Sequence, residues 1–226
     1  MIKIERNINA AAITTFGIKA NVAVLAQYDN TEDLLGILRD NTLPRPFKHI
    51  GAGSNLLFEG DFDGTLIHCS NRSAYFREPE NDEVIVTASA GFIMDKLCLV
   101  AASKGYWGIE NLSGIPGEVG ASAVQNVGAY GVEAGDLIVM VKAIDMSTLE
   151  ERLFSAHEME FGYRDSIFKR PENRDRYLIT EVTFKLSALP APNLGYANLQ
   201  AEVDELSGSE DIPQMIIREA VIKTRD

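Results

Sequence analysis

The sequence predicts an α+β fold, and three observations carry the prediction. Strand-like runs cluster along the chain, helices fall between them at irregular intervals rather than after every strand, and glycine-rich breaks follow strand-like runs. At 226 residues, 46% of them apolar, the chain is long enough to bury a sizeable core in one large domain or two small ones.

Taken in order, "NVAVLA" (21–26) reads as a strand. Thr31 then stands as N-cap of the helix "EDLLGILRD", with Glu32 and Asp33 in the first turn, where the helix dipole favours anions. The run "PFKHIG" leads into "GAGSN", and "GTLIHCS" follows as another strand, closing a β-α-β-β unit of about seventy residues. In "DEVIVTASAG" (82–91), Val84, Val86 and Ala88 alternate as on a half-buried strand. The helix "FIMDKLCLVAASKG" follows, with Leu97, Val100 and Ala101 at helical spacing and Gly105 as its stop. Beyond a glycine-rich stretch come the strands "LIVMVKAIDM" (137–146) and "RYLITEVTFKL" (176–186), and between them Ser155 and Glu158 have capping-box spacing for one short helical turn. The acidic "AEVDELSGSED" reads as polar chain. A closing helix, "IPQMIIREAVIKTRD", places Ile212, Ile216, Ile217, Ala220 and Val221 on one face.

Charge and composition exclude several classes of function. With 33 acidic against 21 basic side chains the net charge is -12, which repels polyanions on average, so no nucleic-acid partner is expected. No run approaches the length of a membrane span and the first residues carry no secretory pattern, so no membrane partner and a cytoplasmic location are expected. Cys69 and Cys98 read as buried free thiols, and three scattered histidines (His49, His68, His157) give no metal-ligand spacing, so no metal is assigned. A local reversal of charge stands out in "RDSIFKRPENRDR" (164–176), where five Arg or Lys face three acids, a composition suited to a small anion.

Three features carry chemistry. In "HIGAGSNLLF", Gly51 and Gly53 permit close approach of a ligand to the main chain, and Ser54 and Asn55 add side-chain hydrogen bonds, as in an anion nest; a tight turn between strands is the alternative. Leu56 stands where a dinucleotide fingerprint needs a third glycine. "SGIPGEVGASAVQNVGAYG" (113–131) holds Gly114, Gly117, Gly120, Gly128 and Gly131, with Gln125 and Asn126 as donors and acceptors. Such bareness with a few placed polar groups suits flat rings and diphosphates, or else close packing of backbone against a neighbouring strand. In "FGYRDSIFK", Arg164 lies between Tyr163 and Asp165 among apolar neighbours, poised to bind a carboxylate or stabilise an enolate, or simply to pair with Asp165.

Together, "TTFGIKA" (14–20), "GAGSNLLF" (51–58), "IENLSGIPGEVGASAVQNVGAYG" (109–131) and "FGYRDSIFK" (161–169), in this order, resemble the UDP-N-acetylenolpyruvoylglucosamine reductase family over essentially the whole chain. The resemblance implies the FAD-binding fold of the vanillyl-alcohol oxidase type, with two α+β subdomains over 1–75 and 76–210 and a helix over 211–226 leading to a substrate domain. It implies FAD contacts from Gly51, Ala52, Gly53, Ser54 and Asn55 to the diphosphate. It also implies contacts to the flavin and adenosine from Ile115, Pro116, Gly117, Gly120, Ala121, Gln125, Asn126, Gly128, Ala129, Tyr130 and Gly131. NADPH is the implied hydride donor and UDP-N-acetylglucosamine enolpyruvate the substrate, with Arg164 catalytic and Tyr163, Tyr196 and Arg225 substrate-binding. In that family a serine in a Gly-Ser-Phe-Phe-like segment protonates the product, and no such segment occurs here. The expectation is therefore a flavin-binding portion, cut near a domain boundary, that holds FAD and does not turn over alone. A carbohydrate or alcohol oxidase on the same fold, or a nucleotide-binding module without chemistry, are the competing readings.

Overall fold

The computed structural model describes residues 1–196, 198–207 and 212–225. Strand β1 (Lys3–Asn9) pairs antiparallel with β2 (Asn21–Tyr28). Helix α1 (Thr31–Arg39) then crosses to β3 (Phe47–Ile50), which lies parallel to β4 (Phe62–Cys69) at the sheet's far edge. The order β1-β2-β4-β3 makes three strands parallel, so the carboxyl ends of β2, β3 and β4 open on one side of the sheet. The cap of α1 differs from expectation. Asn30, not Thr31, is the N-cap, because its carboxamide oxygen accepts the Asp33 N–H at 2.9 Å and satisfies one of the first-turn donors.

A second, antiparallel sheet has the order β10-β9-β11-β6-β5, with β5 at Ala74–Phe76, β6 at Glu83–Ser89, β9 at Ile138–Asp145, β10 at Glu150–Ser155 and β11 at Tyr177–Ser187. Val84, Val86 and Ala88 are buried as their alternation predicts. Helix α2 (Met94–Ser103) ends before Gly105, whose φ of +77° is a left-handed conformation that costs glycine little. The glycine-rich stretch holds a short helix, α3 (Val119–Gln125), then the two-residue strands β7 (Gly128–Ala129) and β8 (Val132–Glu133) and one turn of helix, α4 (Ala134–Leu137). Ser155 and Glu158 form the anticipated capping box, the Ser155 N–H reaching the carboxylate at 2.9 Å, and one helical turn follows at His157–Met159.

One buried cluster unites the sheets, with Val24, Ala26 and Ile67 from the first against Val86, Val141, Val182 and Phe184 from the second. Tyr28 pins the seam: its hydroxyl donates to the Ile179 carbonyl at 3.3 Å and also meets His49 Nε2 at 3.1 Å. A smaller cluster joins Trp107 to Leu199 and Val203 of α5 (Leu199–Ser207) and to Ile217, Ala220 and Val221 of α6 (Gln214–Arg225). Helix α5 is formed by residues that read as polar chain, since only Leu199 and Val203 of its nine are buried. Both cysteines are free and buried. No helix among the described residues is long and apolar enough to cross a membrane.

Candidate functional site

The two glycine-rich segments face each other across one cleft. Ile50 ends β3, and Gly51–Asn55 turns out of the sheet there; α3 and the residues before it come from the second sheet's side. The cleft between them measures about 500 Å³, within the size range of small-molecule sites. Gly51, Ala52, Gly53, Ser54 and Asn55 line one wall, and Glu118, Gly120, Ala121 and Gln125 the opposite one. A third wall comes from Phe168, Lys169, Asn173, Arg174 and the first residues of β11. At the mouth the walls are tied directly, the Ser54 hydroxyl donating to the Pro116 carbonyl at 3.4 Å.

The bare residues serve two different needs. A Cβ on Gly51 would sit 3.4 Å from Ala121 Cβ and from Glu118 Oε2, an ordinary contact, so nothing in the fold itself forbids alanine there. Gly53 is different. Its φ is +69° and a Cβ would strike the Ile13 carbonyl oxygen, so the fold requires glycine. Gly120 likewise lets α3 approach β6's end, where a Cβ would come 2.8 Å from Ala90 Cβ. Some of these glycines thus admit backbone against backbone, and others leave the cleft walls bare.

Glu118 is a buried charged group of the cleft lining, its side chain 3% exposed. It is held from β4 and the linker that follows: His68 Nε2 on β4 lies 3.0 Å from Oε1, and Arg72 Nη2 donates to the same oxygen at 2.7 Å. Arg72 in turn bonds the carbonyls of Cys69 and Gly91, so one guanidinium fixes the acid and the linker that carries it. Burial holds the His49 imidazole down to about 4, so it is neutral at pH 7 and fit to accept or donate a hydrogen bond from the cleft floor. Burial also pushes the Cys69 thiol up, which leaves it inert. The cations on the third wall, Lys169 and Arg174, are exposed and face the space between the bare segments. The basic run singled out in the sequence thus contributes charge to the cleft.

The remaining residues marked in the sequence fall into three places. Ile115, Pro116 and Gly117 form the rim beside Ser54, where a Cβ on Gly117 would stand 3.2 Å from the serine hydroxyl. Asn126 lies behind the wall, buried and left-handed at φ 43°. Its carboxamide is spent on the Gly135 N–H at 2.7 Å, Glu133 at 2.7 Å and the Gly162 carbonyl at 2.9 Å. Gly128, Ala129, Tyr130 and Gly131 make the β7–β8 hairpin, whose Tyr130 ring meets Tyr196 edge-on at 5.9 Å and lies 5.5 Å beneath the Arg225 guanidinium. Tyr196, Arg225 and the hairpin are thus one group, separate from the cleft lining.

Tyr163 and Arg164 occupy the tip of a tight turn closed by the backbone pair Gly162 and Asp165. Arg164 is exposed with φ 53°, a strained conformation for a residue with a side chain, and such strain gathers at functional sites. Among the described residues Arg164 pairs with no acid, Asp165 included. Lys169 holds the turn to the cleft, its ammonium bonding the Arg164 carbonyl and Gln125 Oε1. Sequence reasoning missed His49, Glu118 and the β11 residues Tyr177 to Ile179. His49 carried a signal, since it is the penultimate residue of a parallel strand leading into the glycine turn.

The segment 22–149 matches the family model described as FAD binding domain. Over 98% of its length the chain is 36% identical to the UDP-N-acetylenolpyruvoylglucosamine reductase of Bacteroides fragilis (strain YCH46), covering 65% of that protein. It is 38% identical to the enzyme of that name from Neisseria gonorrhoeae, over 94% of this chain and 61% of that one. The chain spans less than two thirds of the length of these curated relatives. Among solved structures, the UDP-N-acetylenolpyruvylglucosamine reductase of Thermus caldophilus superposes with a TM-score of 0.71 at 21% identity, covering all of this chain and 70% of that one. A cholesterol oxidase from Brevibacterium sterolicum superposes with a TM-score of 0.55 at 11% identity, over 82% of this chain and 38% of the oxidase. Both likenesses are likenesses of fold, and the fold is the FAD-binding fold of the vanillyl-alcohol oxidase type.

Proposed function

The chain belongs to the FAD-binding-domain family, and on that premise we propose that it is the flavin-holding part of a UDP-N-acetylenolpyruvoylglucosamine reductase. The observation that carries the proposal is the meeting of Gly51–Asn55 and Glu118–Gln125 across one cleft at the carboxyl ends of parallel strands. An extended dinucleotide fits the residues present. Bare main chain at Gly51 and Ala52 admits phosphate oxygens to backbone N–H groups, and Ser54 and Asn55 supply hydroxyl and amide. Lys169 and Arg174 offset phosphate charge that the overall acidity of the chain would otherwise repel. Apolar Ile50, Leu56, Phe168 and Ile179 provide flat contact area for the rings.

FAD held there would supply the hydride chemistry by which NADPH reduces the enolpyruvyl double bond of UDP-N-acetylglucosamine enolpyruvate, a step in peptidoglycan precursor synthesis in the cytoplasm. The chain's own residues bind and orient. Residues 1–75 and 76–210 are the two units that grip FAD, and 211–226 leads toward the substrate side. Arg164, at the tip of its turn and unpaired with any acid among the described residues, supplies a cation to the carboxylate beside which negative charge develops. Tyr163 stands next to it, and Tyr196 and Arg225 gather at the β7–β8 hairpin as substrate contacts.

The test joins this chain to the C-terminal third of the Bacteroides fragilis relative. The proposal expects a yellow, FAD-loaded protein that oxidises NADPH only when UDP-N-acetylglucosamine enolpyruvate is added. A well-folded, FAD-loaded fusion that never responds to that substrate counts against the reductase and favours a nucleotide-binding module.

A further inference from the structure

One carboxylate joins helix α6 to the glycine-rich segment by hydrogen bonds. Asp95, in the first turn of α2, accepts the Gly114 N–H at 2.7 Å through Oδ1. The same carboxylate receives both terminal nitrogens of Arg218 from α6, Nη1 on Oδ1 and Nη2 on Oδ2 at 2.9 Å. The Arg218 guanidinium is buried, 8% exposed as a residue, and this two-pronged pair fixes the plane of the carboxylate. Because Oδ1 is shared, one atom couples Arg218 of α6 to the main chain at Gly114.

The neighbouring contacts show what that coupling controls. Gly114 and Gly117 both have left-handed φ values, 71° and 123°, so glycine is favoured at both ends of the turn, while the Pro116 ring between them fixes its own φ. The far end of the turn is held by Met94, adjacent to Asp95, whose N–H donates to the Gly117 carbonyl at 3.1 Å. Between the two ends lies Pro116, whose carbonyl meets Ser54 across the cleft mouth. From above, the stem of Arg225 lies along the turn, 3.2 Å from where a Gly114 Cβ would be. Glycine at 114 thus makes room for α6.

We propose that Asp95 is a positioning residue, through which Arg218 on α6 holds the 113–117 turn in the conformation that accepts FAD. The proposal rests on the flavin reading above. It differs from a tie that merely adds stability, because the carboxylate acts on the main chain at Gly114, in the turn whose Pro116 carbonyl meets Ser54, and not only on a second helix.

The experiment titrates FAD into the full chain and into Asp95→Asn, Arg218→Gln and Arg218→Lys, following quenching of flavin fluorescence, with Tm measured alongside. Lys223→Gln is the control. It removes the α6 to α5 pairs with Glu202 at 2.7 Å and Glu205 at 3.2 Å and leaves the turn alone. Asp95→Asn and Arg218→Gln are each expected to weaken FAD binding by about tenfold or more, the double variant no further than either single one, and Lys223→Gln to lower Tm without changing affinity. Hydrogen exchange at the Gly114 amide gives a second readout, expected to quicken in Arg218→Lys while the middle of α2 stays protected. Lower Tm with FAD affinity unchanged in the Asp95 and Arg218 variants overturns the proposal, as does an equal loss of affinity in Lys223→Gln. Failure of the parent chain to bind FAD strikes the flavin reading itself and is seen separately.

Discussion

Gly51 and Gly53 lie two positions apart in the same turn, and the structure predicts opposite consequences for the same substitution. Gly53→Ala puts a Cβ on a residue at φ +69°, which costs about 1–2 kcal/mol. That Cβ also meets the Ile13 carbonyl oxygen, so the 10–15 segment must move, and overpacking of this kind adds about 1–3 kcal/mol. A combined loss near 3 kcal/mol lowers Tm by roughly 6–12 °C in a chain of this size. Gly51 keeps a backbone outside the left-handed region, and its added Cβ finds Ala121 and Glu118 at 3.4 Å. Gly51→Ala should therefore leave stability within about 1 kcal/mol of the parent. Its methyl nonetheless stands on the wall where ligand and main chain approach, and FAD affinity should fall about tenfold or more. Thermal unfolding by circular dichroism and FAD titration measure the two effects separately. A Gly53→Ala protein that melts with the parent, or a Gly51→Ala protein that melts far below it and binds FAD as before, refutes the assignment of these glycines.

The other predictions concern charge and packing. The Arg176 guanidinium, at 2.7 Å, together with Ser147, holds the Asp145 carboxyl down to about 2 from its ordinary 3.8. The stability it contributes is complete above pH 3.8 and is lost as pH falls toward 2, so Arg176→Gln should shift the acid-unfolding midpoint upward, and superimposable acid limbs would contradict the pair's role. His49 has the opposite origin, burial having lowered it from 6.5 to about 4, so an unfolded chain takes up a proton that the fold resists. Stability should decline between pH 6.5 and 4, and His49→Gln should flatten that part of the profile in urea titrations. Phe154 is fully buried, its ring 5.2 Å from Phe168 and 5.0 Å from Tyr177, two residues of the cleft wall. Phe154→Ala should cost about 3–5 kcal/mol and weaken FAD binding with it, as calorimetry would show. In the fused reductase, Arg164→Met should leave flavin reduction by NADPH intact and slow reoxidation by substrate about a hundredfold or more, whereas equal loss in both halves would make Arg164 structural.

The sequence made legible those elements whose burial is periodic. Strands β2, β4, β6, β9 and β11 are buried along runs of Val, Ile, Leu and Ala, and α6 presents Ile217, Ala220 and Val221 on one face to Trp107, Leu199 and Val203. What escaped was edge and surface structure. The residues of β1, "KIERNIN", are exposed or half-buried throughout, and β10, "EERLFS", buries Phe154 alone, so neither leaves an apolar alternation to read. Helix α3 is short and carries Gly120, Ser122 and two valines among its seven residues, and tertiary contacts hold it, with the Val119 and Gly120 N–H groups bonding the Phe92 and Ala90 carbonyls at 2.8 Å. At the site, Gly51–Asn55 and Gly120–Gln125 were legible because bareness is local information. The Glu118, His68 and Arg72 cluster was not. It assembles from β4, a linker and the start of α3, and only the folded sheets bring those three together.

The most direct test of the account is a titration of FAD into the folded 226-residue chain, read by flavin fluorescence and checked by the absorbance of the complex. One FAD per chain, bound with a Kd of about 10 μM or tighter, is the predicted result. A chain with intact circular dichroism that leaves flavin fluorescence unchanged up to about 100 μM would contradict it.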